Sequence, residues 1–348
     1  MSLPAVSYVL PIRRTDDVGL DELTAYLRGL AHRVDLVIVD GSDRETFDRD
    51  HKLWSSFATH IPPDPLRRMA NGKAWGVHTG VDHAAHECVV IADDDVRYRL
   101  GELDRVVAAL DHGDLVRPQN YFDPLPWHAA WDTARSLINR CWGADSPGTL
   151  ALRRSFFEAM GGYDGNVLYE NCELIRTVIA AGGRVVDRPD LYVRRLPPTV
   201  TRFWGQRPRQ AYDDLAQPSK MAVLLLIAPA ALGLTRRAAG RRPLAAIVAG
   251  SVLAAAHGRW KHGGRSVFPL TPVMWAPLWL LERSICVWVA VALRCTGGVR
   301  YAGTRLSTAA HSVRALRRRF PQSDRGRRQN PDTPPTSGPF LSSIGGRG

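Results

Sequence analysis

Three consecutive aspartates, Asp93-Asp94-Asp95, follow the apolar run Cys88-Val89-Val90-Ile91-Ala92. Carboxylates crowded this closely repel one another, and a cation relieves the repulsion. The chemistry that suits them is Mg2+ or Mn2+ held by oxygen ligands beside a substrate phosphate. The run before them is short, apolar, partly β-branched and bounded by charge, as a buried strand would be. An acidic loop that merely follows a strand has the same composition. The carboxyl end of a strand is, however, where open α/β sheets hold their ligands.

The elements that must position the triplet alternate along residues 1–200. Val6–Ile12 reads as a strand ended by Pro11 and Arg13. Leu20–Arg33 has helical spacing, with Leu20, Leu23, Leu27 and Leu30 on one face. Asp35–Val39 reads as a second strand, ended by Asp40-Gly41-Ser42-Asp43. Lys73–Ala85 reads as a helix, Val89–Ala92 as a third strand, Leu103–Leu110 as a helix and Asp114–Arg117 as a strand. Such alternation implies βαβ units: an α/β fold with a mostly parallel sheet flanked by helices, whose polar strand ends gather at one edge.

Composition then shifts. Met221–Leu234, Leu244–Ala256 and Val267–Leu293 are strongly apolar. The first two are short for a membrane span, which needs about 20 residues. The third is long enough but carries Glu282 and Arg283. Between the first two stand Arg236, Arg237, Arg241 and Arg242. With a cytoplasmic catalytic half, a single crossing would place these arginines outside, against the positive-inside tendency. A re-entrant or interfacial hairpin removes the conflict, and a soluble helical subdomain is the plainer alternative. The expected organisation is a catalytic domain over 1–219, an apolar membrane-associated helical region over 220–311, and a basic tail over 312–348. The tail is rich in arginine (Arg314, Arg317, Arg318, Arg319, Arg325, Arg327 and Arg328) and is expected to be disordered from Pro321.

Several segments, taken in order, resemble the family 2 glycosyltransferases with the GT-A fold. The resemblance covers roughly residues 4–220. It begins with the strand ending at Pro11, the strand ending in Asp40 and the DDD triplet. Asn71-Gly72-Lys73-Ala74 resembles the segment before the helix that precedes the metal motif. Gly161-Gly162-Tyr163-Asp164 resembles the turn before the catalytic helix. Glu170-Asn171-Cys172-Glu173-Leu174, with Arg176, resembles the acidic E-D-x-D/E-L-x-x-R segment. Phe203 to Gln210 resembles the Q-x-x-R-W region that precedes membrane helices.

The resemblance implies transfer of a sugar from a nucleotide-diphospho-sugar donor to a glycan or lipid-linked acceptor, with inversion and with Mg2+ or Mn2+. It makes Asp95 the direct metal ligand and Asp93 a ligand or a contact to ribose, while Asp94 points away. It places Asp40 on the base or ribose, unless this is only a turn aspartate. Lys73 would touch phosphate, unless it is simply a solvated lysine. Gln206, Arg207 and Arg209 would hold the diphosphate or an acceptor phosphate. Trp204 either stacks on a sugar or anchors the membrane interface. The family's usual base is the aspartate that Asn171 replaces, and an amide cannot take a proton. Glu170 is then the candidate base, Glu173 the alternative, the latter equally suited to favour the helix dipole.

The totals bound these readings. The net charge of +12 favours phosphate-bearing partners. An acidic centre joined to a basic end, without zinc-finger or RNP-type patterns, fits membrane lipid and excludes nucleic acid. The five cysteines include no CxxC pair, so neither a disulfide framework nor a zinc site is expected, and a reducing compartment is. No signal peptide is expected, because Val6–Ile12 is too short and runs into Arg13-Arg14. The expected location is the cell membrane, with the catalytic domain on its cytoplasmic side. A nucleotidyltransferase would want glycines after the first strand, where Pro11-Ile12-Arg13-Arg14-Thr15 has none. A catalytically inactive scaffold that binds a sugar nucleotide in a membrane complex is the remaining alternative, and Asn171 is its basis.

Overall fold

The computed structural model describes residues 5–320, apart from 146, 237–240 and 302. The chain enters β1 (Val6–Ile12), then α1 (Leu20–Ala31), β2 (Asp35–Asp40), α2 (Arg44–Trp54), β3 (Thr59–Ile61), α3 (Gly72–His83), β4 (Cys88–Ala92) and β5 (Val96–Arg97). It continues through α4 (Leu100–Ala108), β6 (Leu115–Phe122), α5 (Trp127–Trp142), β7 (Thr149–Arg153), α6 (Arg154–Ala159), α7 (Glu170–Ala180), β8 (Val185–Arg195) and α8 (Val200–Asp213). Last come α9 (Pro218–Thr235), α10 (Arg241–Trp260), α11 (Thr271–Met274), α12 (Ala276–Cys295), the hairpin β9 (Val299–Tyr301) and β10 (Thr304–Leu306), and α13 (Val313–Leu316).

Eight strands form one sheet in the order β3-β2-β1-β4-β7-β6-β8-β5. β5 and β7 run against the other six, so the sheet is mostly parallel and flanked by helices, as the alternation implies. β1 and β4 are buried almost throughout and pair in parallel, which explains their unbroken apolar runs. Helix α3 lies close across them. A Cβ at Gly76 would come within 2.7 Å of the Pro11 side chain, and one at Gly80 would collide with Val9. Ala74, Val77 and Val81 fill the same interface, each valine contributing about 1.5–3 kcal/mol by its burial. This tight seat fixes the first turn of α3, and so Lys73, beside the ends of β1 and β4.

The apolar half differs in detail from its sequence reading. Among the described residues two helices are long and apolar enough to cross a membrane, α9 (mean hydropathy 1.5) and α12 (mean hydropathy 1.6). Val267–Leu293 is not one segment: Pro272 and Pro277 stand at the starts of α11 and α12 and divide it. Leu244–Ala256 lies within α10, which seats on α5 where Gly258 leaves room for the Leu137 carbonyl. Arg140 of α5, fully buried, donates to the carbonyls of Gly258 (3.1 Å) and Lys261 (2.8 Å), pinning the end of α10. Part of the arginine-bearing connection between α9 and α10 lies outside the described residues.

The basic stretch from residue 312 does not begin as a free tail. After α12 the chain returns to the catalytic domain: Leu168 and Tyr169 donate backbone hydrogen bonds to Thr308 (3.0 Å) and Ala309 (2.8 Å). Arg319 reaches Asp164 at 3.3 Å, and Leu316 is buried. Residues from Pro321 onward, expected to be disordered, lie outside the described residues.

Candidate active site

A cleft of about 1780 Å³ opens at the carboxyl ends of β1 and β4. Its floor is the turn after β4. Asp93 N–H donates to the Gly148 carbonyl (2.8 Å) and Val96 N–H to the Asp93 carbonyl (3.1 Å), so the triplet is a tight, fixed corner. β5 then pairs with β8, setting Val96 opposite Arg195. Arg195 Nε and Nη2 donate to the two oxygens of Asp95 at 2.9 and 2.7 Å, and Nη2 also reaches Asp93 at 3.3 Å. The Asp94 carboxylate makes no hydrogen bond among the described residues, although the residue lines the cleft.

Lys73 links this corner to α7. Asn71 caps α3 by accepting from the N–H groups of Lys73 and Ala74, while its own amide donates to the Val167 and Leu168 carbonyls just ahead of α7. The tie brings the first residues of the two helices together. Lys73 Nζ stands 2.6 Å from Asp93 Oδ1 and 2.6 Å from Glu170 Oε1, and donates to Asn171 Oδ1 at 3.3 Å. Tyr163 donates its hydroxyl to Glu170 Oε2 (3.3 Å), and Asn171 donates to the Pro147 carbonyl (3.1 Å).

Burial and charge set the protonation of this group. Burial raises the pKa of Glu170, Lys73 offsets part of that, and Asp93 adds to it; the carboxyl ends above its usual value. Burial also raises Asp95, and Arg195 only partly opposes it. For Asp93 burial works in the same sense, but Lys73 and Arg195 outweigh it and hold the carboxyl below its usual value. Burial would lower Lys73, yet its two carboxylates raise it, so it stays a cation.

Of the residues singled out in the sequence, Pro11, Lys73, Asp93, Asp94, Asp95, Glu170, Gln206 and Arg209 all line the cleft. Three do not. Asp40 is turned into the sheet edge, 1% exposed, accepting from Ser42 N–H (2.9 Å) and facing His60 Nε2 at 3.3 Å. Its neighbour Gly41 lines the cleft instead. Glu173 is fully buried on another side of α7, accepting from His311 N–H (2.7 Å) and facing its Nδ1 at 2.9 Å. Arg207 is buried as a clasp, donating to Asp132 of α5 (3.1 Å), 3.6 Å from Glu282 of α12, and lying over the Phe203 ring at 4.1 Å. Trp204, half-exposed, packs with the half-exposed Trp127 and the buried Trp131, outside the cleft.

Arg195 and Tyr163 enter the site without having been marked as site residues. Tyr163 lies in the glycine turn Gly161-Gly162-Tyr163-Asp164, but Arg195 ends a strand that carries no clear apolar pattern.

The donor set at the corner fits a hard divalent cation. Asp93 and Asp95 offer only oxygen, and both converge on one guanidinium, which shows that their oxygens serve a single positive centre. A second cluster, Asp164, Glu173 and His311, has ligand atoms within 4.8 Å of one another. There His311 occupies both Glu173 oxygens and Arg319 faces Asp164, so the group acts as a clasp between α7 and the returning chain.

No protein-family model matches the chain, and no curated protein matches it. Solved structures do. A mannosyltransferase from Pyrobaculum calidifontis, solved with GDP-Man and Mn2+, is 19% identical; the match covers 82% of this chain and 88% of that one, with a TM-score of 0.49. GalNAc-T7, solved with UDP, GalNAc and Mn2+, is 15% identical over 56% of this chain and 44% of its own, with a TM-score of 0.40. Glucosyl-3-phosphoglycerate synthase from Mycobacterium tuberculosis, solved with phosphoglyceric acid, is 15% identical over 57% and 74%, also with a TM-score of 0.40.

Proposed function

We propose that this chain is a membrane-associated glycosyltransferase that moves a sugar from a nucleotide-diphospho-sugar to an envelope glycan or lipid-linked acceptor at the cytoplasmic membrane face, with inversion. One observation carries the reading: a single cleft holds a buried carboxylate, Glu170, joined through Lys73 to the carboxylate corner of Asp93 and Asp95. That is the pairing glycosyl transfer requires, a proton acceptor beside a place for a diphosphate.

Glu170, whose carboxylate form Lys73 favours against burial, takes the proton of the acceptor hydroxyl at a carboxylate oxygen. The freed oxygen attacks the anomeric carbon, the bond from that carbon to the diphosphate breaks, and the nucleoside diphosphate leaves with the electron pair. Lys73 and Arg195 lie where negative charge grows on the leaving group, and preorganised cations there favour the transition state. A divalent cation, which Asp93 and Asp95 would hold, supplies further neutralisation of that charge when bound. Asn171, tied to Lys73 and to the Pro147 carbonyl, keeps the start of α7 in place and is no base.

The acceptor end is read from the lining. The cleft runs on past Gln206 and Arg209 to Lys220, Val223, Leu224 and Ile227 of α9 and to Trp279 and Leu280 of α12. A polar mouth continued by apolar helix faces suits an acceptor with a lipid portion. The free cysteines agree with a cytoplasmic site.

The test is transfer or hydrolysis of radiolabelled sugar nucleotides, with and without membrane extract. Glu170→Gln should lower turnover by about two to four orders of magnitude with donor affinity nearly unchanged. Donor binding without turnover by the wild type would instead favour the inactive scaffold.

A further inference from the structure

We propose that Arg195 is a built-in counter-cation: it competes with a divalent cation for Asp93 and Asp95, and passes to the donor's diphosphate when donor and metal arrive together. The inference rests on the reading of the cleft as a nucleotide-sugar site and adds how metal and nucleotide are coupled.

The placement of Arg195 is fixed at the backbone and open at the tip. Its main chain is held between two strands, opposite Val96 on one side and Phe122 on the other. Its guanidinium lies in a slot against Gly148, where a side chain would crowd it. A Cβ there would come within 2.8 Å of Arg195 Cζ and 2.6 Å of Asp93 Oδ2. The slot therefore suits a group that must sit between the carboxylates.

The guanidinium uses Nε and Nη2 on Asp95 and Asp93, whereas Nη1 makes no hydrogen bond among the described residues. A fork that meets a carboxylate with two donors meets a phosphate equally well. Lys73 holds Asp93 from the other side, so the loss of Arg195 would leave Asp93 paired and Asp95 without its partner. Two carboxylates with one cation fewer attract a metal more strongly. A bound diphosphate offers the guanidinium a new acidic partner and so frees the carboxylates. Metal and nucleotide then each favour the other by the same factor, as linkage requires.

The experiment uses the full chain in detergent. Mn2+ binding is followed by the loss of the free-ion paramagnetic resonance signal, with Mn2+ alone and with UDP or GDP present. Wild type should bind Mn2+ more tightly in the presence of one of the two diphosphates, by a factor in the usual coupling range of about 5–150. Arg195→Met should bind Mn2+ alone more tightly than wild type, lose most of that factor, and bind the diphosphate more weakly at saturating Mn2+. Arg195→Lys keeps the charge without the fork and should fall between the two. It carries the same test if Arg195→Met does not fold. If both proteins bind Mn2+ with equal affinity and equal coupling, the role of Arg195 is overturned while the metal site stands. If neither binds Mn2+ with either diphosphate, the metal reading fails, and this inference with it.

Discussion

The two ends of the cleft are built in opposite ways. At the sheet end, charges of alternating sign touch: Arg195 on Asp95 and Asp93, Lys73 on Asp93 and Glu170, all between 2.6 and 3.3 Å. At the helical end the charges are more deeply buried, and beside the short pairs Arg207–Asp132 (3.1 Å) and Lys220–Asp214 (3.0 Å) others stand further apart. Arg207 to Glu282 and Arg283 to Asp214 are both 3.6 Å, too long for hydrogen bonds. Arg283 Nε and both Glu282 carboxylate oxygens make no hydrogen bond among the described residues. Attraction at such distances still joins helices, since it falls off slowly in a low-dielectric interior. The longer pairs fix geometry less than the short ones do. The sheet end is thus preorganised for chemistry, and the helical end is held together while its polar atoms keep capacity for other partners. Substitutions at the first should strike the reaction, and substitutions at the second the folding.

The largest effect should come from Asp95→Asn, which is expected to abolish transfer while the thermal midpoint stays within a few degrees of wild type; EDTA should do the same to the unmodified protein, with Mn2+ restoring it. Full activity in EDTA would break the first half of the comparison. Gly148→Ala tests the same corner more gently. Its methyl group must displace Asp93 or Arg195, so activity should fall by about 10- to 100-fold, as a roughly 1 Å misplacement can cost. Steady-state kinetics at saturating Mn2+ would show an unchanged rate if the slot has no role.

These contrasts also explain what could be read along the chain. β1, β2 and β4 are central or near-central, and burial on both faces leaves continuous apolar runs that need no partner to be recognised. β8 has no continuous apolar run, because Asp187, Arg188, Pro189 and Asp190 interrupt it; it is only half-buried, and its register with β6 shifts at Pro118/Gln119. Arg195 was hidden with it. Glu170 and Glu173 looked alike, three residues apart at the start of one helix. What separates them is His311, 138 residues further along the chain, which claims Glu173 by a contact that no local pattern announces. The burial of Arg207 is hidden for the same reason: its partners Asp132 and Glu282 come from α5 and α12.

The stability arm starts with that clasp. Arg207→Met would leave the buried carboxylates of Asp132 and Glu282 short of a partner, at a cost of about 3–5 kcal/mol. Denaturant midpoints in detergent would show this, and the protein that remains folded should keep a near-normal KM for donor. A raised KM at unchanged stability would return Arg207 to the substrate. His311→Ala should cost less, about 1–3 kcal/mol, because Glu173 keeps the backbone N–H of residue 311.

The smallest effect is a pH slope. Asp213, beside the looser charges, is raised by burial and by Asp214 against the pull of Arg209, to about 7 from an ordinary 3.8. The folded chain therefore holds a proton at this carboxyl between about pH 4 and pH 7, where the unfolded chain has released it. Stability from this group is fully present below the ordinary carboxylate value, is lost progressively as pH rises to about 7, and then levels off. Asp213→Asn cannot titrate. It should match wild type near pH 4, exceed it by a few degrees in thermal midpoint at pH 8, and show a flatter profile between. Identical profiles for the two proteins would mean that the helical end pairs this carboxylate as tightly as the sheet end pairs its own, and the contrast between the two ends would lose its titrating member.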